Sequence, residues 1–145
     1  MKLTYRFNKI VLSSLILCGI LFIKNSYAET SVIVHPSNGN SLTAKAIQRI
    51  FLSKMKTFPD GDVILPIDQP LETDIRKNFI KVILKKRESQ MSAYWASVVF
   101  TGKGLPPKQV EDGKSVKNLV AKNPNTIGYI DSSKVDDSVK VVHSF

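Results

Sequence analysis

The chain has 145 residues, of which 43% are hydrophobic and 23% charged, and it contains one cysteine. This composition excludes wholesale disorder, and the lone cysteine excludes a disulfide framework. The formal net charge of +9 suits an anionic partner, although the charge is unevenly distributed along the chain.

The first 28 residues have the pattern of a secretory signal peptide. An apolar run over residues 10–23 is followed by a short polar stretch that ends at Ala28. Three basic residues precede the run, namely Lys2, Arg6 and Lys9. A membrane anchor is the alternative, but the run is shorter than the ~20 residues that cross a bilayer. We therefore predict cleavage after Ala28, export to the periplasm, and one domain over residues 29–145.

Removing the leader lowers the net charge of the chain. Residues 1–28 hold four of the 21 Lys and Arg and none of the 12 Asp and Glu, so residues 29–145 carry 17 − 12 = +5. A mild excess can favour anionic ligands, an anionic membrane face or nucleic acid. The basic residues are spread along the chain with one cluster, Lys85-Lys86-Arg87, which is typical of a solvated helix end. We predict no nucleic-acid partner.

Strand and helix patterns alternate in the first half of the domain. Residues 31–35 form a β-branched run that is closed by a turn over residues 36–39, which predicts a strand. Thr43 is a candidate N-cap for a helix with apolar residues at helical spacing. Those apolar residues are Ala46, Ile47, Ile50 and Phe51. Residues 63–67 predict a second strand, with Pro66 at an edge or terminating position.

Three more helices and two more strands are predicted in the second half. A helix after Pro70 has one buried stripe of apolar residues, namely Ile75, Phe79, Val82 and Ile83. Ser89 is the predicted cap of the next helix, whose inward residues are Met91, Trp95, Val98 and Val99. Residues 115–122 predict a short helix. Residues 126–131 and 139–144 predict the last strands.

The alternation predicts an α/β fold with a small mixed sheet of about four strands flanked by helices. Open α/β sheets bind ligands at the loops beyond the carboxyl ends of their strands. The loops expected there are residues 36–40, residues 68–73 and the residues after Asp131.

The usual catalytic motifs are absent. The sequence has no G-x-S-x-G elbow, no phosphate-binding loop and no H-E-x-x-H. The only histidines, His35 and His143, fall at the ends of predicted strands, and Cys18 lies in the leader. We predict that the protein is not an enzyme and holds neither a cofactor nor a metal ion.

Two stretches of sequence carry a resemblance to a known family. Leu42-Thr43 is followed by Ile50-Phe51-Leu52-Ser53-Lys54, and the later stretch Asn123-Pro124-Asn125-Thr126-Ile127-Gly128-Tyr129-Ile130 is close to N-P-G-A-I-G-Y-V. Both resemble the phosphate-type periplasmic substrate-binding proteins of ABC transporters. Ala93-Tyr94-Trp95 and the stretch over residues 100–104 look like a short, single-lobe branch. The resemblance covers residues 31–142 and implies one lobe of a type II periplasmic binding protein.

The anion loop of that family departs from its pattern here. The family places a G-S-G-T-R-type stretch where a strand turns into a helix, so that backbone N–H groups and hydroxyls hold an oxyanion. The corresponding residues are Glu72-Thr73-Asp74-Ile75-Arg76. Two carboxylates at the start of the helix repel an anion, at a cost of several kcal/mol for a dianion about 4 Å away.

The resemblance makes Thr73 and Arg76 candidate ligand-binding residues, in the places of the family's serine and arginine. Ser37 and Asn38, in the loop after the first strand, are candidates for further donors. The alternative is that Thr73 caps the helix and Arg76 is a surface cation.

Two functions remain open. The first is a periplasmic domain that binds a small oxyanion, phosphate by resemblance, and works with a membrane transporter. The second is an interaction or sensory accessory that reuses the lobe to contact another periplasmic protein and binds no phosphate. The second hypothesis arises because a clamp of two lobes needs over twice this length. Tyr94 and Trp95 would then form a partner face, whereas the simpler interpretation places them in the core.

Overall fold

The computed structural model of the chain describes residues 29–145. The predicted signal peptide and Cys18 lie outside these residues. The strands are β1 (Thr30–Val34), β2 (Leu65–Asp68), β3 (Lys108–Gln109), β4 (Thr126–Asp131) and β5 (Lys140–Ser144). The helices are α1 (Ala44–Phe51), α2 (Asp74–Phe79), α3 (Glu88–Phe100) and α4 (Gly113–Lys122). A π-helical turn, Ile80–Leu84, follows α2, and a 3₁₀ turn, Ser132–Lys134, follows β4.

The strands form one mixed sheet in the order β3-β2-β4-β1-β5. β2 is parallel to β3 and β4, whereas β1 is antiparallel to β4 and β5. The predicted α/β class with a mixed sheet is confirmed. The sheet has five strands instead of about four because β3 contains only two residues, too few to produce a recognisable pattern.

Helices cover both faces of the sheet and create two cores. Val32 and Val34 face the larger core beneath α1, α2 and α3, while Ile33 faces the smaller core beneath α4. Phe79 is central to the larger core. Its ring stacks on Tyr129 at a centroid distance of 4.0 Å and meets the edge of Phe51 at 4.7 Å.

α1 follows the sequence prediction closely. The Thr43 hydroxyl accepts a hydrogen bond from the Ala46 N–H at 3.2 Å, so one unpaired donor of the first turn is satisfied. The apolar stripe over Ile47, Ile50 and Phe51 is buried against the sheet. The cap and the stripe together explain why the helix lies where it does.

Several predicted boundaries are wrong by a few residues. β2 begins at Leu65 because Val63 instead forms an isolated bridge with Thr57. α4 begins at Gly113 because the Asp112 carboxylate accepts the Ser115 N–H at 2.7 Å and caps the helix. Pro66 lies where β2 has no hydrogen-bonded neighbour on its outer side, which suits a residue without an N–H.

α3 also differs from its prediction. It begins at Glu88 instead of after Ser89, because the Gln90 side chain accepts the Arg87 N–H at 2.8 Å. The predicted inward orientation of Val99 is wrong, because this residue is 47% exposed. Tyr94 and Trp95 are partly buried against the larger core, and the Tyr94 hydroxyl donates to the Leu52 carbonyl at 2.6 Å. None of the helices in residues 29–145 has the length and apolar character needed to cross a membrane.

Candidate functional site

A cleft of about 730 Å³ lies at the carboxyl ends of β2 and β4, between α2 and α4. These two strands are parallel neighbours, and their helices pack on opposite faces of the sheet. Ile75 of α2 and Ile130 of β4 supply apolar walls. The position agrees with the general rule for open α/β sheets.

The approach of α4 to the sheet depends on a glycine. Gly128 of β4 is buried, and a Cβ placed there would lie 2.4 Å from Cγ1 of Val116 in α4. This distance is well inside van der Waals contact. α4 can therefore lie directly on β4, and its first turn forms one side of the cleft.

Three lysines line the cleft. Lys114 and Lys117 project from α4, and Lys134 comes from the 3₁₀ turn after β4. The Lys117 ammonium donates to Oδ2 of Asp136 at 2.6 Å and to the Lys134 carbonyl at 3.1 Å. Hydrogen bonds from Lys117 and Ser138 lower the pKa of Asp136 to about 2. Among the residues the structure describes, Lys114 and Lys134 form no ion pair, so their charges remain available.

Two carboxylates oppose the lysines. Asp131 lines the cleft, and hydrogen bonds from Ser133 lower its pKa, so it stays ionised at neutral pH. Asp74 also lines the cleft and forms an exposed ion pair with Lys77 at 3.5 Å. Three amide side chains complete the polar lining, namely Gln69, Asn78 and Asn118. The cleft thus offers cations and hydrogen-bonding amides, with a partial electrostatic penalty for an anion.

Arg76 is not the surface cation that one interpretation of the sequence expected. It is 6% exposed, its Nε donates to Oδ2 of Asp68 at 3.0 Å, and its Nη1 donates to Glu88. Burial alone would lower the pKa of Arg76, but the Asp68 and Glu88 carboxylates outweigh that effect and raise it. The Tyr129 hydroxyl donates to the other oxygen of Asp68. We call Asp68, Arg76, Glu88 and Tyr129 the buried ionic cluster.

The structure does not bring the four predicted site residues together. Thr73 and Arg76 lie beyond the carboxyl end of β2, whereas Ser37 and Asn38 follow β1. Val34 at the end of β1 and Pro66 near the start of β2 both pair with Ile127. The loop after β1 is therefore at the opposite end of the sheet, because β1 is antiparallel to β4 and β2 is parallel to it.

Thr73 occupies the N-cap position of α2 without acting as a side-chain cap. Its hydroxyl donates to the Pro70 carbonyl at 2.8 Å and makes no bond to the helix. The predicted side-chain cap is therefore wrong, although Thr73 does occupy the position at which the helix begins. Asp74, the next residue, lines the cleft.

Ser37 and Asn38 are bonded within their own region. The Ser37 hydroxyl lies 2.7 Å from Nδ1 of His35, and the Asn38 side-chain carbonyl accepts the Asn40 N–H at 2.9 Å. The Lys140 ammonium donates to the backbone carbonyl of Asn38 at 2.9 Å. These bonds hold the loop against β5.

The cleft lysines were missed by reasoning from the sequence. Lys114, Lys117 and Asn118 recur at helical spacing in the first two turns of α4, which places them on one side of the helix. This spacing is visible in the sequence, but it does not distinguish a ligand-binding side of a helix from an ordinary solvent-exposed one. No group of three or more His, Cys, Asp or Glu side chains in residues 29–145 is arranged to hold a metal ion.

The buried hydroxyl of Tyr129 predicts a loss of stability in alkali. Burial, followed by the neighbouring Asp68 charge, raises the pKa of Tyr129 well above its ordinary value of 10.0. Its contribution is therefore fully present below pH 10 and is lost as the pH rises further, because the unfolded chain ionises first. Between pH 9 and 11 we expect the urea midpoint of the parent to fall more than that of Tyr129→Phe. Parallel curves would contradict this.

No protein-family model matches the chain, and no curated protein is detectably similar to it in sequence. Solved structures are similar in fold. A Clostridium perfringens protein described as a phosphate ABC transporter substrate-binding protein, determined with bound phosphate, aligns with a TM-score of 0.62 and 23% identity. A phosphate transport receptor from Vibrio cholerae aligns with a TM-score of 0.62 and 17% identity. The chain has the fold of one lobe of these proteins.

Both alignments include 79% of this chain, and they span 45% of the Clostridium protein and 46% of the Vibrio protein. The chain therefore spans about half the length of these structural neighbours. The fold expected from the family resemblance, one lobe of such a binding protein, is confirmed.

Proposed function

We propose that this chain is a solute-binding domain that takes a small oxyanion in the cleft between α2 and α4, and that phosphate is its ligand. The observation that carries the proposal is the convergence of Lys114, Lys117 and Lys134 at the carboxyl ends of two parallel strands. The structural neighbours described as phosphate transport proteins support the choice of ligand.

The geometry favours moderate affinity. Asp74 and Asp131 weaken the attraction of the lysines for an anion. The charge of Arg76 is already neutralised by Asp68 and Glu88. A single lobe contacts one side of a ligand. If closing two lobes on an anion gives micromolar affinity, worth about 8 kcal/mol, half of that free energy corresponds to a Kd of about 1 mM.

We also propose a periplasmic location and a membrane transporter as the partner. The leader pattern of residues 1–28 supports export. The neighbours described as components of phosphate ABC transport support the transporter. Ligand transfer would then require the cleft to be open to the partner.

Anion titration of purified residues 29–145 tests the proposal. With a Kd of about 1 mM, phosphate at about 10 mM stabilises the folded state by about 1.4 kcal/mol and raises Tm by about 5 °C over chloride at matched ionic strength. We expect Lys114→Gln combined with Lys134→Gln to abolish this increase. Asp131→Asn should enlarge it, because one opposing charge is removed.

Lys122→Gln combined with Lys140→Gln is the matched control, because it also removes two charges and both residues are exposed and outside the cleft lining. It should keep the full phosphate response. The proposal fails if phosphate and sulfate stabilise the domain no more than chloride does. It also fails if the control variant loses as much as the cleft variant.

A second candidate function, an interaction or sensory accessory without phosphate binding, is favoured by one observation. The arginine that the family resemblance assigns to the anion is bound to internal carboxylates, Asp68 and Glu88. A domain that ignores anions in calorimetry and forms a stable complex or self-associates on size-exclusion chromatography would support this alternative.

A further inference from the structure

Basic residues of the domain are concentrated in two ranges of the chain. Residues 41–59 contain four Lys or Arg and no acid, and residues 81–110 contain six with Glu88 as their only acid. These ranges therefore carry 10 − 1 = +9, while the rest of residues 29–145 carries 7 − 11 = −4. They include α1, most of the π-helical turn, α3 and the adjoining loops, which pack on the larger core, and they end at the edge strand β3. We call these two ranges the basic layer.

The cations of the basic layer are free of carboxylates. Glu88 is bound to Arg76, and within residues 29–145 none of the ten cations belongs to an ion pair. Lys54 and Lys86 lie 5.8 and 5.5 Å from the centroid of the Tyr94 ring. Lys56 donates to the Lys103 carbonyl at 3.1 Å, so it lies beside the loop that follows α3.

Large apolar side chains protrude from the same layer. Phe100, the last residue of α3, is 92% exposed, and Leu105 in the following loop is 74% exposed. The loop is held close to the end of α1, since a Cβ at Gly104 would lie 2.3 Å from the Ser53 hydroxyl oxygen. Phe100 and Leu105 are thus presented on fixed backbone among lysines.

We propose that the basic layer docks on an anionic phospholipid surface, with Phe100 and Leu105 entering the headgroup region and the lysines contacting lipid phosphates. Exposed aromatic and aliphatic side chains bordered by cations are the combination that binds the membrane interface. Each Lys or Arg near an anionic surface contributes about a five-fold increase in partitioning.

The composition of the layer favours lipid over a protein. Eight of its ten cations are lysine, which is depleted from protein–protein interfaces, where arginine is enriched. A second copy of the chain would place two highly basic surfaces against each other, and like charges repel. Anionic lipid headgroups carry the opposite charge to the basic layer. They can also rearrange around individual protruding side chains.

The test uses purified residues 29–145, which contain both cores and the whole sheet, after a cooperative thermal transition has been verified. Sedimentation with phosphatidylcholine vesicles that contain about 30% phosphatidylglycerol should give binding that pure phosphatidylcholine does not, and salt should weaken it. Lys54→Gln combined with Lys103→Gln should reduce partitioning about 25-fold. Phe100→Ser should reduce it at least about 10-fold.

Lys122→Gln combined with Lys140→Gln is the matched control, because it changes net charge equally outside the basic layer. It should alter partitioning less than about two-fold. Equal losses in the two lysine pairs, or full binding by folded Phe100→Ser, would overturn the proposal. The proposal would also be overturned if the domain did not bind the vesicles. The same holds if the domain self-associated, Phe100→Ser abolished that self-association and no vesicle binding was seen. The vesicles contain no free phosphate, so the result of the vesicle assay is independent of phosphate binding at the proposed anion site.

Discussion

Arg76→Met is expected to lower the free energy of unfolding by about 3–5 kcal/mol, the range for breaking a buried ion pair by removing one partner. The Arg76 side chain is 7% exposed and that of Asp68 is 16% exposed. Without the guanidinium, Asp68 keeps only the Tyr129 hydroxyl and the Gln69 N–H as donors. A carboxylate close to the larger core would then lack a counter-charge. Urea unfolding at pH 7 measures the difference.

Lys77→Met is the control for this prediction. Lys77 follows Arg76 on α2 and forms an exposed pair with Asp74, whose side chain is 90% exposed. An exposed pair of this kind contributes less than about 1 kcal/mol. If Arg76→Met costs no more than Lys77→Met, the buried ionic cluster does not stabilise the fold. Adding Asp68→Asn to Arg76→Met should recover part of the loss, because the unpaired charge is removed.

Gly128→Ala is expected to lower the free energy of unfolding by about 2–3 kcal/mol, in the upper part of the range for overpacking a core. The new methyl group would lie 2.4 Å from Val116 and 3.5 Å from Val120, two fully buried residues of α4. The helix must move away from the sheet, and the cleft lysines on its first turns must move with it. We therefore also expect weaker phosphate binding, measured by calorimetry on the folded variant.

Gly39→Ala is the matched control for Gly128→Ala. A Cβ at Gly39 meets nothing within 4 Å, and its backbone lies outside the left-handed region. It should change stability by less than about 1 kcal/mol, in the stabilising direction. An equally mild effect of Gly128→Ala would show that α4 does not depend on close contact with β4.

The elements that the sequence predicted well are those with two local signals in agreement. Thr43 supplies a cap and the next eight residues supply an apolar stripe, so the sequence predicts α1 together with its buried face. β4 has six residues that are almost entirely buried, bounded by Asn123-Pro124-Asn125. β3 has two exposed residues and exists only because β2 provides a neighbouring edge.

The separation of the four predicted site residues was hard to foresee because it depends on the direction of β1. A short β-branched strand looks the same whether its neighbours run parallel or antiparallel to it. Since β1 is antiparallel to β4, Ser37 and Asn38 lie at the opposite end of the sheet from Thr73. The burial of Arg76 is equally hard to predict from the sequence, because its partner Glu88 lies twelve residues away beyond the π-helical turn.

The two cores of the domain are unequal, and this difference bears on its dynamics. Sixteen buried residues form the core beneath α1, α2 and α3, whereas six form the core beneath α4. Local opening requires least free energy where the fewest apolar side chains must be exposed. We therefore expect the smaller core, and α4 with it, to open at a lower free energy than the larger core. A ligand held between α2 and α4 would suppress that opening, so occupancy of the cleft would be coupled to the ordering of one wall of the domain.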